Sequence, residues 1–539
     1  KPFVLKDKKI SIEKKSDFEN NPFLIIELFH SSHFKKLEVH PETLRFVSDC
    51  SRLIRRKEIN SKKTNKMFLE ILSDENNPSS ILNLMNDTNT LGNFVPDFKK
   101  VIGLIQHDMY HHYTVDEHTL FAISNAYDLR DGKIDDIFGA AKHIINKINR
   151  FDLLIVSLFL HDIAKGSSGD HSINGFKISN RLCPRFGLNS SDTKVVSWLV
   201  LNHLLLSETA FRYDLNDEKI IDTCLEKIKN IENLNLLFAL TICDIKAVGP
   251  GIWSDWKGVL LNNLYNKIEE KLSNDSNKQS LNQQNKLSDQ LFIKLKEQGW
   301  QDYELHNHIN KLPQNYWKMF DLNKMITQAN LFKNMIETKR KFAFDLSQNA
   351  SSNVSELVVI APDNFGLFSK ISGIVSSCNI NIISAKILTR SDGFAIDFFV
   401  INNLLEKAIT ETRSKERLFK NLKRGLEGLY NFEVELENKF KEIPSKIKKI
   451  TAPIRVYLDN HTSNYFTIIE INCKNEPGIL YKITNCLSHL NLQIQSASIS
   501  TYGTRVTDIF YVKDFFGQKI EDEKSIEKVK SQLLNILNK

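Results

Sequence analysis

Apolar residues recur at helical spacing from Pro22 to about Glu270, as in Phe23, Ile26, Leu28 and Phe29 or Val195, Trp198, Leu199 and Leu201. The first half is therefore predicted to be helical. Between about 273 and 289 the chain turns to Asn, Gln, Ser, Asp and Lys with isolated leucines. That composition buries little surface and marks a flexible insertion or a solvated helical connection. Helical spacing returns over about 290–346, and then the period changes. Residues 356–361, Glu-Leu-Val-Val-Ile-Ala, are stopped by Pro362, Asp363 and Asn364, which reads as a buried strand. A helix over 365–377, strands over 380–389 and 394–401, and a helix over 412–429 follow.

The same order returns: a strand over 466–472, the turn Asn475-Glu476-Pro477-Gly478, a helix to 490, strands over 493–501 and 504–512, and a helix over 523–538. Gly366 and Gly478, Asn379 and Asn491, Ala385 and Ala497, and Ile387 and Ile499 each stand 112 residues apart, so a β-α-β-β-α unit is duplicated. The two hairpins differ by one residue, and the second copy ends on its helix at Lys539. Segment 453–458 is expected to supply a further strand from the front.

A chain of 539 residues, 41% hydrophobic and 25% charged, is too long for one core and too apolar to be disordered. Three to four domains is about the expected number. The net charge of +7 gives no case for nucleic acid or an anionic membrane as partner. Seven scattered cysteines, never spaced Cys-x-x-Cys, argue against a disulfide framework or a zinc knuckle. The longest apolar run, 153–160, is far short of the roughly 20 residues a bilayer requires. A cytoplasmic protein is expected.

Candidate chemistry lies in both halves. Residues 158–166 read Leu-Phe-Leu-His-Asp-Ile-Ala-Lys-Gly, an apolar helix that delivers His161, Asp162 and then Lys165. A buried carboxylate without a partner is costly, so this doublet calls for a cation. His118 stands upstream, and His171, His203 and Asp244 follow in order. Any single histidine among the 15 is more often a surface or core residue than a ligand, and His107, His111, His112 and His143 are left in that class. In each duplicated unit an Asp or Asn precedes a glycine by three positions, Asp363-x-x-Gly366 and Asn475-x-x-Gly478, where strand passes to helix. Such a turn is able to hold a small zwitterion, with helix N–H groups on its carboxylate and a side-chain oxygen on its ammonium, or simply to cap the helix.

The series His118, His161-Asp162, His171, His203, Asp244 resembles the HD superfamily of metal-dependent phosphohydrolases, and the duplicated turns resemble the amino-acid-binding ACT domain. The resemblance implies one ion on His118, His161, Asp162 and Asp244, and a second sharing Asp162 and taking His171 and His203. The ions would be Mg2+ or Mn2+, with Fe2+ as the alternative, and would clamp attacking and leaving oxygens during phosphoryl chemistry. Asp162 and Lys165 would be the catalytic pair, Lys165 neutralising charge on phosphorus. Two-metal members often carry His-His where this chain has Asn202-His203, which weakens the second site.

The combination resembles the bifunctional PII uridylyltransferase/uridylyl-removing enzyme family of bacterial nitrogen control. The stretch from Gly103 to Leu120, His161-Asp-Ile-Ala-Lys-Gly166 with Gly169-Asp-His171, Trp198 to His203, Asp244 to Pro250 with Trp253 and Trp256, Leu312 to Trp317, and Ser500-Thr-Tyr-Gly503 all carry the likeness. It implies an all-α HD-type domain followed by two ferredoxin-like α+β ACT domains. The expected segments are 1–100, a helical lead-in; 101–270, the HD domain; 271–350, a helical connector; and 351–440 and 453–539, the ACT domains. It also implies hydrolysis of UMP from the tyrosine of uridylylated PII, and glutamine bound at Asp363, Asn364 and Gly366 or at Asn475, Glu476 and Gly478. The family's nucleotidyltransferase motif is not found in the chain. Its start at Lys1, and the likeness of residues 1–62 to the segment after the transferase domain, make a chain that removes UMP without adding it the expectation. Two rivals stay open: a glutamine-sensing PII-binding protein with a degenerate HD site, and a (p)ppGpp hydrolase.

Overall fold

In the computed structural model the described residues are 2–105, 113–133, 140–249, 252–273, 279–349, 352–442, 454–502 and 505–538. His107, His111, His112, Pro250, Pro453 and Gly503 lie outside them. The chain divides into two units, 1–207 with 228–254, and 208–227 with 255–539. The stretch expected as one domain over 101–270 is therefore shared between them, with 208–227 and 255–270 in the second unit.

The first unit opens on a hairpin, β1 (Phe3–Lys6) and β2 (Lys9–Ile12), and is otherwise helical among the described residues. Phe68, Phe94, Phe98, Phe159 and Phe186 are fully buried, with ring centroids 5.1–5.6 Å apart across several pairs, and fix the helices that carry the candidate ligands. Those helices are α1 (Val115–Asp131), α2 (Phe151–Leu160), α3 (His171–Phe186), α4 (Ser190–Asn202) and α5 (Ile231–Ala247). Every residue of α2 from Leu153 on is buried, which is why it is apolar all round instead of amphipathic.

The second unit centres on an eight-stranded antiparallel sheet in the order β3-β4-β6-β5-β9-β10-β8-β7. The first copy of the repeat supplies β4 (Val354–Pro362), α6 (Leu367–Ser377), β5 (Ile380–Thr389), β6 (Phe394–Asn403) and α7 (Thr412–Leu426). A linking helix, α8 (Phe432–Glu442), leads to the second copy: β8 (Thr467–Lys474), α9 (Ile479–His489), β9 (Gln493–Tyr502), β10 (Arg505–Lys513) and α10 (Glu523–Leu537). The strand expected from the front of the second copy is β7 (Arg455–Asp459), paired with β8. Its counterpart in the first copy, β3 (Ala343–Asn349), corrects the reading of 290–346 as helical throughout: the last helix there ends at Glu337. β3 is a half-exposed edge strand whose Phe344 and Leu346 pack on the core, and pairing with β4 decides its conformation.

The two copies meet about a pseudo-dyad. Ala385 of β5 pairs with Ala497 of β9, and the hydroxyls of Ser372 in α6 and Thr484 in α9 lie 3.3 Å apart. Both members of each pair are 112 residues apart, so equivalent positions face one another. Helices α6 and α9 cover one face of the sheet. Leu291, Leu295, Trp300, Tyr316, Trp317 and Met325 cover the other face of the first copy, against Val358, Ile360, Phe398 and Val400. In the second copy, Ile220 of the 208–227 segment packs there with Ile468, Ile509 and Tyr511. Tyr511 accepts a hydrogen bond from the Asp214 N–H at 2.7 Å. Burial on both faces explains why β4 and β6 are mostly apolar instead of alternating. No helix among the described residues is long and apolar enough to cross a membrane.

Candidate metal centre and the paired turns

Each candidate ligand sits at a helix end that the sequence fixes. The side chains of Thr114 and Glu117 form a capping box that places His118 in the first turn of α1. His161 and Asp162 follow the buried α2 directly, and His203 follows α4. Asp170 accepts hydrogen bonds from Ser172 N–H at 2.7 Å and Ile173 N–H at 3.1 Å, which makes His171 the first residue of α3. Asp244 lies in the last turn of α5, where the helix dipole disfavours an anion and a cation would relieve it.

Two ligand groups result, His118 with His161 and Asp244, and Asp162 with His171 and His203. Nε2 of His118 is 3.0 Å from Asp244 Oδ1 and 3.2 Å from His161 Nε2. Asp162 stands between the groups. Its Oδ2 is 3.5 Å from His118 Nε2 and 3.3 Å from His161 Nε2, while its Oδ1 is 4.0 Å from His171 Nε2 and 3.8 Å from His203 Nε2. Donors about 2.1 Å from an ion stand roughly 3.0–3.4 Å apart, so the first group is near closure on a small divalent ion and the second is more open.

The rings are pre-set for this. Nδ1 of His161 bonds the Leu158 carbonyl and Nδ1 of His203 the Val200 carbonyl, each at 2.7 Å, so each Nε2 is turned into the cluster. His171 Nε2 and Asp162 Oδ1 are buried with no hydrogen-bond partner among the described residues. These orphaned atoms, both metal donors, fit divalent cations. Lys165 Nζ forms an ion pair with Asp162 Oδ2 at 2.5 Å. Asn202 donates its amide to the Trp198 carbonyl of its own helix at 2.9 Å. His143 is exposed.

Charge in the cluster follows from its partners. Burial opposes an imidazolium at His161, but Asp162 and Asp244 overcome it and hold the ring up to about 10. Burial likewise opposes charge on the carboxyls. His161 and Lys165 nevertheless hold Asp162 well below the usual carboxylate range, and His118 and His161 do the same for Asp244. Burial pushes His203 down to about 4, so it presents a neutral lone pair.

In the second unit Gly366 and Gly478 adopt φ of +74° and +77° at the N-termini of α6 and α9, the left-handed conformation that accounts for glycine at both turns. Asp363, Asn364 and Phe365 are exposed, and Thr389 donates to Asp363 Oδ2 at 2.6 Å. The second turn differs: a Cβ on Gly478 would meet Leu436 Cδ1 of α8 at 2.9 Å, and Gly478 is buried. Asn475 is exposed and Glu476 pairs with Lys474 at 3.5 Å. Sequence reasoning missed Asp397 of β6 and Asp508 of β10, two buried aspartates at equivalent positions in the copies. An acidic residue inside an apolar strand, present in both copies, was the available sign.

Fold and site together define a protein in which a mostly helical region with a buried histidine–aspartate cluster precedes a sheet-rich region of ACT type. Residues 462–536 match the profile described as the ACR family N-terminal ACT domain, and residues 3–94 match the uridylyltransferase GlnD third domain. The chain is 34% identical over 99% of its length to a bifunctional uridylyltransferase/uridylyl-removing enzyme of Azospirillum brasilense, and 36% identical over 98% of its length to one of Rhodospirillum rubrum. One from Zymomonas mobilis is 34% identical over 96%. Over nearly all of its length the chain is similar to the C-terminal part of these bifunctional uridylyltransferase/uridylyl-removing enzymes, and it spans 56–57% of their length.

Proposed function

We propose that the helical unit is an HD-type phosphohydrolase that removes UMP from the tyrosine of uridylylated PII, and that the ACT modules make this activity respond to glutamine. The observation that carries the reading is Asp162, whose two oxygens face two separate histidine pairs inside a buried cluster. His118, His161, Asp162 and Asp244 would hold one divalent ion, Mg2+ or Mn2+, and Asp162, His171 and His203 a second. When bound, such a pair supplies Lewis-acid activation of water and neutralises charge on the phosphoryl oxygens.

The chain's own residues do the rest. The backbone carbonyls of Leu158 and Val200 fix the tautomers of His161 and His203. Lys165, paired with Asp162 here, is the cation of the site, and with Asp162 engaged elsewhere its ammonium would turn to an anionic phosphoryl group. His171, with 29% of its side chain exposed, marks the side open to solvent and hence to a protein-borne nucleotide. A tyrosine leaving group, with a pKa of about 10, departs with little proton assistance.

Incubating the chain with uridylylated PII, Mn2+ and glutamine should release UMP, and the Asp162→Ala chain should release none above background. Binding of PII without UMP release would instead favour a glutamine-sensing role with an inactive centre, the reading that Asn202 favours by giving its amide to the Trp198 carbonyl.

A further inference from the structure

Two buried carboxyls in the sheet unit have no task in the centre just described. Asp397 is 1% exposed and Asp508 0%, and neither has a hydrogen bond to either oxygen among the described residues. Their placement is the same in each copy. Asp397 pairs in register with Val359, four residues before Asp363, and Asp508 with Ile471, four residues before Asn475. Both share the face that carries Phe399 and Phe510, beneath α6 and α9. Each carboxyl thus lies one same-face rung below a rung that leads to the glycine turn, about 7 Å along the strand for two residues.

The rungs between differ. Above Asp397 stand Ala361 and Ala395, a facing pair of methyl groups; above Asp508 stand Cys473 and Val506. The turn above Asp397 is open, with Phe365 68% exposed, whereas the turn above Asp508 lies under Leu436 of α8. A natural protein rarely keeps two unsatisfied buried carboxyls at matched positions without a ligand or solvent to satisfy them.

We propose that Asp397 is the receptor for the side-chain carboxamide of the amino acid held at the first turn, and that the same site in the second copy is closed by α8. This rests on the glutamine-sensing reading and specifies it. The α-carboxylate would take the N–H groups at the start of α6, whose Phe368 stacks on Phe399, two residues along β6 from Asp397, at a centroid distance of 5.7 Å, and the side chain would point down past the two alanines. A carboxyl and a primary amide form a two-fold hydrogen bond, each group donating once and accepting once. Burial keeps the Asp397 proton on well above the usual carboxylate range, with Asp363 nearby adding to the effect, so the group at hand is the neutral acid that such a pair requires. Glutamate, presenting a second anion, would be refused.

The test is calorimetric titration of the whole chain with L-glutamine and with L-glutamate. The unaltered chain should bind one glutamine, at least about tenfold more tightly than glutamate. Asp397→Leu, of similar shape, should weaken glutamine by about tenfold or more and abolish the preference, while Asp397→Asn, which still offers a donor and an acceptor, should bind within a few-fold of the unaltered chain. Asp508→Leu should leave binding within about twofold. Far-UV circular dichroism and melting temperature verify folding, which removal of an unpaired buried carboxyl favours. The inference fails if Asp397→Leu binds glutamine like the unaltered chain, if Asp397→Asn loses as much as Asp397→Leu, or if Asp508→Leu alone abolishes binding. In each of these the sensor reading survives. An unaltered chain that takes up no glutamine defeats the sensor reading, and this inference with it.

Discussion

Asp162 and Asp244 in the helical unit and Asp397 and Asp508 in the sheet unit are all buried carboxyls, yet their surroundings drive them in opposite directions. Around the first pair stand His118, His161 and Lys165, which overcome burial and keep both groups ionised. Around the second pair the sheet offers apolar strands, and burial pushes both upward, Asp508 to about 8. Ionised carboxylates among imidazoles make a site for a metal cation. Neutral acids in an apolar layer make a site for a neutral partner. The same residue type is thus held ionised in one unit and neutral in the other, and what differs is the company each keeps.

The largest expected effect breaks the first half of this contrast. Because Asp162 faces both ligand groups, Asp162→Ala should lower UMP release by about a thousandfold or more, as loss of a residue on which the whole catalytic group depends. Substituting a ligand of one group only should sharpen the same point. His118→Ala, from the tighter group, should reduce bound Mn2+ measured by elemental analysis more than His171→Ala, from the group whose histidines stand 3.8–4.0 Å from Asp162. Equal losses would mean that the two groups act as one site.

The duplicated architecture and the residues of the cluster were legible in the sequence, for physical reasons that did not extend to everything else. Strands and a helix repeat 112 residues apart because the same layers are built twice, and β7 could be expected because the second copy ends on its helix and leaves a further strand to come from the front. His118, His161, Asp162, His171, His203 and Asp244 stood out because ligand residue types fell in a recognisable order, although only packing brings residues 118 and 244 within 3.0 Å of each other. β3 was missed because Ala-Phe-Asp-Leu-Ser-Gln-Asn alternates weakly and continues a helical stretch. The placement of 208–227 with the sheet unit was hidden because a short amphipathic helix does not state which core it joins. Asp397 was hidden by its neighbours: a single acid inside Phe-Ala-Ile-Asp-Phe-Phe-Val reads as an exposed position, and only burial on both faces of β6 shows otherwise.

The second half of the contrast predicts a pH dependence of opposite character. A carboxyl whose folded pKa is about 8, against an ordinary 3.8, binds its proton more tightly in the folded state. Between those values the folded chain holds more protons than the unfolded chain, so stability falls as pH rises, and the loss is complete only above the folded value. Melting temperature should therefore decline from pH 5 to pH 8, and Asp508→Leu should flatten that decline and raise the melting temperature by a few degrees at pH 8. A decline unchanged by Asp508→Leu would show that this carboxyl has found a partner.

The smallest effect separates the two modules themselves. α8 is held over the second turn by Leu436 against Gly478 and by the Tyr481 hydroxyl, which donates to Glu433. The Tyr481–Glu433 contact is solvent-exposed, so Tyr481→Phe should cost no more than about 1 kcal/mol of stability. What it should change is local opening. Hydrogen exchange in α8 and at the N-terminus of α9 should quicken, while the first turn of α6 at Gly366, over which no α8 residue is pinned, should keep its rate. If α8 is what closes the second copy, the loosened chain should also begin to take up a second glutamine at high concentration. A chain that exchanges faster there yet still binds one glutamine would place the barrier in Cys473 and Val506, the fuller rung above Asp508, and not in the helix that covers the turn.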